Sequence, residues 1–261
     1  MKLLRCKYDL VCPLGCWCGP ALWMRKLGLR SMSMPFDWMR GDGVGLRRYV
    51  DVICDDFKTF MRRESLRKVE GEVPDPEFGN DCYIDEATGL ESCHDFKVGV
   101  PFDEAYPAVR RKFDRRIERF MYRVGVGGRI LFVNFNRYGH ETPDGIVRCV
   151  ERLRAKFPKS IIHLLAIEQV QEFAEPVFEV LADGVYYVRG RYFPPDRAAR
   201  YGNKALCQKL FGSIRLRGRW RNLLRLRLVR LKMKVATMFH LSSEARRAAR
   251  RRYKGESVAG D

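Results

Sequence analysis

Residues 129–167, RILFVNFNRYGHETPDGIVRCVERLRAKFPKSIIHLLAI, decide the fold. Arg129 to Phe135 is an apolar run of strand length. Pro143 to Phe157 spaces its apolar residues as a helix, with Thr142 placed to cap it, and Ser160 to Ile167 is a second, buried strand. Val185 to Tyr192 supplies a further strand. Strands alternating with helices predict a parallel sheet covered on both faces. The expected class is α/β: a three-layer domain over residues 1–195 with a mostly parallel sheet, followed by a basic helical extension over 196–261.

The same pattern opens the chain. Tyr8 to Cys12 is a short apolar run closed by Pro13 and Gly15, and Ala21 to Leu27 returns to helical spacing after Gly19-Pro20, a pair suited to a helix start. Cys16 and Cys18 lie in the turn between them. A thiol at the helix entry faces unpaired backbone N–H groups and the positive end of the helix dipole, and both favour thiolate. In a parallel sheet this turn falls at the carboxyl end of the strand, where open α/β sheets place their ligands.

Between these two regions, Leu46 to Leu66 carries a helical apolar stripe and Tyr106 to Val124 reads as a basic helix ending at Gly125. Residues 70–90 are rich in Gly, Pro, Asp and Asn and read as an irregular acidic segment leading to His94. GVGGR at 125–129 precedes a strand instead of following one, the wrong order for a phosphate-binding loop.

Charge is divided unevenly. Residues 201–261 hold 17 Lys+Arg against 3 Asp+Glu, and the first 200 residues hold 33 against 29. The interleaved leucines and arginines of LLRLRLVRLKMKVATMF suit an anionic membrane surface. Nucleic acid ranks lower, because the extension has few aromatic residues for stacking. The chain has no apolar run long enough to span a bilayer and no signal-peptide pattern at its start, so the expected location is the cytoplasm, peripheral to the inner face of the membrane. Nine scattered cysteines read as free thiols in a reducing compartment. Cys16 and Cys18 are too close for a zinc knuckle and no second close pair exists, so neither a metal nor another cofactor is expected.

A thiol nucleophile needs a base to carry its proton, and four histidines compete for that role. His163 sits within the apolar run SIIHLLAI and reads as a core residue. His240 belongs to the basic extension. His94 and His140 both lie in loop-like sequence, and the residues alone do not separate them.

Leu14-Gly15-x-x-Cys18-x-x-Ala21, followed by Leu27 to Arg30, Pro35-Phe36-Asp37-Trp38 and His94-Asp95-Phe96, resembles a bacterial family of papain-like cysteine peptidases. The resemblance extends over roughly residues 8–190 and includes the basic helix RRKFDRRIERF with its following strand RILFVNF. It selects Cys18 over Cys16 as nucleophile and His94 over His140 as base. It implies acyl transfer through a thioester on an acyl or peptide substrate. Asp37 and Asp95 are the candidates to orient the imidazole. Adjacent side chains of an extended segment point to opposite faces, which counts against Asp95. The strand, Cys turn and helix also resemble capsule-polysaccharide acetyltransferases, so the alternatives are an acyltransferase or a non-enzymatic, membrane-associated component of cell-surface polysaccharide biosynthesis. Papain itself joins a helical half to a barrel-like half, and here the strand–helix alternation takes precedence over the label.

Overall fold

The computed structural model describes residues 6–15, 18–30, 32–41, 43–71, 79–136, 141–170, 173, 175–192, 203–224, 226–228 and 231. Cys16, His140, His240 and most of the basic extension lie outside these residues.

The described elements are, in chain order, β1 (Lys7–Tyr8), β2 (Leu10–Leu14), α1 (Cys18–Lys26), β3 (Met39–Arg40), α2 (Leu46–Cys54), β4 (Leu66–Lys68), β5 (Asn80–Asp85), β6 (Leu90–Lys97), α3 (Phe102–Gly125), β7 (Gly128–Asn136), α4 (Pro143–Lys156), β8 (Ser160–Gln169), β9 (Val177–Ala182), β10 (Val185–Gly190), α5 (Lys204–Gly212) and β11 (Arg215–Leu216). The central sheet has the order β2-β7-β8-β10-β9. Its first four strands are parallel, and β9 closes the edge antiparallel to β10. In-register neighbours include Leu14 with Asn134, Asn134 with Ala166, and Ala166 with Tyr187. Apolar side chains alternate between two cores. Cys12, Phe132, Leu164 and Val185 join one, shared with α2, α3 and α4. Val11, Leu131, Val133, Leu165 and Val188 join the other, with Trp23 and Met24 of α1 and Leu210 and Phe211 of α5. This period-2 division is why these strands read as continuous apolar runs: both faces are buried.

The architecture is α/β, but the expectation of one mostly parallel sheet needs correction. A second sheet, β3-β6-β5-β4, is antiparallel throughout, so across the molecule the sheets are mixed. It occupies much of the acidic segment that reads as irregular, because few of its strand residues follow a clean apolar alternation. The helix expected over residues 46–66 ends at Cys54. Asp56, Phe57 and Met61 adopt left-handed backbone, and Phe57 and Phe60 are held by Phe36, Phe113 and Phe120 instead of continuing the helix. Thr142 caps α4, its Oγ1 accepting from Gly145 N–H at 3.1 Å.

The chain divides into two compact units, Met1–Arg217 and Gly218–Asp261. The first extends past residue 195: α5 packs its Cys207, Leu210 and Phe211 into the second core, and β11 pairs with β1, so this part of the basic segment belongs to the domain and contains a short strand. Among the described residues no helix is long and apolar enough to cross a membrane.

Candidate active site

β2 ends at Leu14, whose carbonyl accepts from Asn134 Nδ2 at 2.7 Å, and Gly15 then turns the chain with φ +58°. Cys18 opens α1, half-buried at the carboxyl end of the parallel strands. The first turn of a helix leaves its N–H groups unpaired by the helix itself, so the thiol sits where negative charge is favoured.

His94 reaches this edge from β6. Phe96 pairs with Asp81 and Ser92 pairs with Tyr83, so three residues of β6, Cys93 to Asp95, stand against the single residue Cys82 of β5. His94 is the middle of this bulge. Bulges re-aim side chains that regular pleating would direct elsewhere. The structure brings the two candidates together, with Cys18 Sγ 3.1 Å from His94 Nε2. The imidazole also meets the edge of Trp38, ring centroids 6.1 Å apart.

Neither candidate carboxylate touches the imidazole. Asp95 Oδ2 accepts from Ser92 Oγ at 2.5 Å, and its Oδ1 accepts from Lys112 of α3. Asp37 is completely buried. Its Oδ2 accepts from Met34 N–H at 2.9 Å and pairs with the Arg30 guanidinium at 2.5 Å. Burial pushes the Asp37 carboxyl up and the Arg30 guanidinium down, since each charge loses solvent; their mutual attraction opposes both shifts. Arg30 lies over the Trp38 ring at 5.1 Å. A connected path therefore runs from Asp37 through Arg30 and Trp38 to His94. Arg30 and Asp37 both fall inside the blocks that carry the family resemblance, but nothing in their spacing identifies them as partners.

His163 is a core residue, its Nδ1 3.0 Å from Tyr8 Oη. The expectation of free thiols throughout is overturned at Cys82 and Cys93, which form a disulfide across the bulge. Cys82, Glu91 and Cys93 form a trio of metal-ligand type, but with the two sulfurs joined to each other and Glu91 bonded to Arg40 Nε at 2.5 Å, the donor set does not suit a metal ion.

A small recess, no larger than a water molecule or so, lies at the same carboxyl edge, lined by Asn134, Asn136, Glu141, Glu168 and Tyr187 over Leu46, Ile146, Ala166 and Ile167. Tyr187 donates to Glu168, and burial raises the Glu168 carboxyl above its usual range. The sequence reading missed these residues. Their signal is alternation: Asn134 and Asn136 fall on one face of β7, level with Ala166 and Glu168 of β8.

A stretch of 132 residues is 25% identical to Uncharacterized protein R408 of Acanthamoeba polyphaga mimivirus, covering 46% of this chain and 58% of that protein. The chain thus spans less than two thirds of that relative, which is viral where the sequence reading pointed to a bacterial family. No solved structure matches. A family model described as "Putative papain-like cysteine peptidase" matches residues 9–162. That match covers more than half of the 261 residues, from the strand before Cys18 through His94 and into β8, and the chain belongs to this family.

Proposed function

We propose that the protein is a thiol enzyme that transfers acyl groups through a thioester on Cys18, with His94 as the base, and that it acts as a papain-like cysteine hydrolase. The observation that carries this reading is the 3.1 Å approach of Cys18 Sγ, at the start of the helix that follows β2 of the central sheet, to His94 Nε2, on β6 of the second sheet. A nucleophile and base within hydrogen-bond reach are the minimum geometry for this chemistry.

Nε2 takes the thiol proton as Sγ attacks the substrate carbonyl carbon. The N-terminal N–H groups of α1 favour the negative charge that develops there. The tetrahedral species collapses to a thioester, and the amine or alkoxide leaves with the proton held by the imidazolium. Water then attacks the thioester carbon and gives one proton to His94. A carboxylic acid is released, and the proton returns to Sγ. Asp95 and Asp37 act as positioning residues in this scheme: Asp95 anchors the bulge through Ser92 and Lys112, and Asp37 holds Arg30 and Trp38 against the ring.

The test is intact-mass spectrometry after incubation with aryl esters, a peptide-ester library and acyl-CoA. An acyl adduct on Cys18 is expected, with turnover falling about a hundredfold or more in His94→Ala and to background in Cys18→Ala. Absence of any adduct across the three donor classes, or an adduct that persists in Cys18→Ala, overturns the reading. Release of CoA with transfer to an added alcohol or amine, and none to water, would identify the acyltransferase instead.

A further inference from the structure

We propose that the unit Gly218–Asp261 docks on an anionic lipid surface through one face of the helix that begins at residue 219, a role independent of the thiol chemistry. Residues 219–224 and 226–228 are helical. Four large apolar side chains of this segment are exposed: Trp220 at 63%, Leu224 at 49%, Leu228 at 50% and Leu231 at 58%. Their positions are spaced by four, four and three residues, the spacing of a single helical face. At about 100° per residue, Leu224, Leu231 and Leu228 fall within about 80° of Trp220, and Arg227 and Arg221 fall on the two margins of that sector.

An apolar stripe led by tryptophan and bordered by arginines has the composition of a helix lying in the plane of a membrane interface. Its leucines enter the acyl boundary while the arginines extend to the headgroups. Arg221 already lies over the Trp220 ring at 5.3 Å.

Charge selects the partner. Gly218–Asp261 contains 13 Lys+Arg and 3 Asp+Glu, and no acidic residue occurs between Asp196 and Glu244. A second copy of this face would bring like charges together with nothing to pair them. Nucleic acid would satisfy the arginines but leave the leucine stripe in water, and Trp220 is the only aromatic residue from 218 to 231 available for stacking. An anionic bilayer meets both halves of the face.

The experiment is sedimentation of the full-length protein with phosphatidylglycerol-rich and with pure phosphatidylcholine vesicles. Binding to the anionic vesicles is expected, with much weaker binding to the neutral ones and marked loss at 1 M salt, where screening shortens to about 3 Å. Leu224→Glu with Leu228→Glu, and separately Arg221→Glu with Arg227→Glu, should each weaken binding about tenfold or more. These side chains are exposed, and an unchanged melting temperature establishes that each variant is folded. Indole emission should shift to the blue on adding anionic vesicles, and the shift should be lost in Trp220→Phe. The proposal is overturned by failure of the wild type to sediment, by equal binding to neutral vesicles, by Leu→Glu variants that bind as the wild type does, or by capture of duplex DNA in preference to vesicles.

Discussion

Gly15 carries the severest steric demand at the site. Its φ is +58°, and a Cβ built there would lie 2.0 Å from Tyr49 Oη and 2.1 Å from Tyr49 Cζ. Gly15→Ala therefore combines an unfavourable left-handed backbone, about 1–2 kcal/mol, with a clash against a fully buried ring. The expected outcome is a melting temperature lower by several degrees and slower alkylation of Cys18, measured with Cys6, Cys16 and Cys54 changed to serine. Cys12, Cys149 and Cys207 need no substitution, because burial raises all three thiols, Cys149 to about 11 and Cys207 to about 12. Tyr49→Phe should not rescue the variant, since Cζ remains; wild-type stability and reactivity in Gly15→Ala would refute the argument. Asp37 makes a different demand. Replacing it with Asn leaves the Arg30 charge buried and uncompensated, for which about 3–5 kcal/mol is the usual cost. Arg30→Met with Asp37→Leu should recover much of that stability in urea titrations. If the double variant is no better than the single one, the ion pair is not what Asp37→Asn removes.

The bulge in β6 is the element that converts the second sheet into part of the site. Opposite it, the Cys82–Cys93 disulfide joins the residue before His94 to the neighbouring strand. Cys82→Ser with Cys93→Ser releases a loop of about a dozen residues, for which the chain-entropy model gives about 3 kcal/mol. The expected result is a lower melting temperature and a loss of Cys18 reactivity larger than in the distant Cys149→Ser. Unchanged reactivity would show that Asp95, through Ser92 and Lys112, suffices to hold the bulge. Little of this was legible. β7, α4 and β8 announce themselves by apolar runs and the Thr142 cap, because their burial comes from regular elements. His94 was found only through the HDF block, since a bulge has no periodicity and an eleven-residue separation of two cysteines does not fix their pairing. The Cys18 turn was legible because a strand end, Gly15 and a helix start are local features. Its distance to His94 is set by the packing of two sheets and could not be read from either segment.

At the scale of the molecule, His163 and Glu168, both on β8 of the central sheet, oppose each other in pH. Burial pushes the His163 imidazole down, where it meets Tyr8 on one side and closely packed Gly184 on the other. A histidine with a lowered folded pKa binds a proton more readily once unfolded. Its contribution to stability is present above about pH 6.5 and is lost as pH falls through that value. The Glu168 carboxyl is raised, chiefly by desolvation. Its contribution has the opposite sign: it favours the folded state in acid and fades as pH rises through the folded pKa. As pH falls below about 6.5 the histidine therefore lowers stability, and protonation of Glu168 works against that loss. His163→Gln retains an acceptor for Tyr8 Oη but removes the titration. The variant should therefore gain stability at pH 5 relative to pH 7 when compared with the wild type, whatever its absolute stability. Thermal melts of both proteins at the two pH values measure this as the difference of two melting-temperature differences. Equal pH responses would mean that His163 titrates alike in the folded and unfolded chain, and would rule it out as the acid-sensitive group of the core.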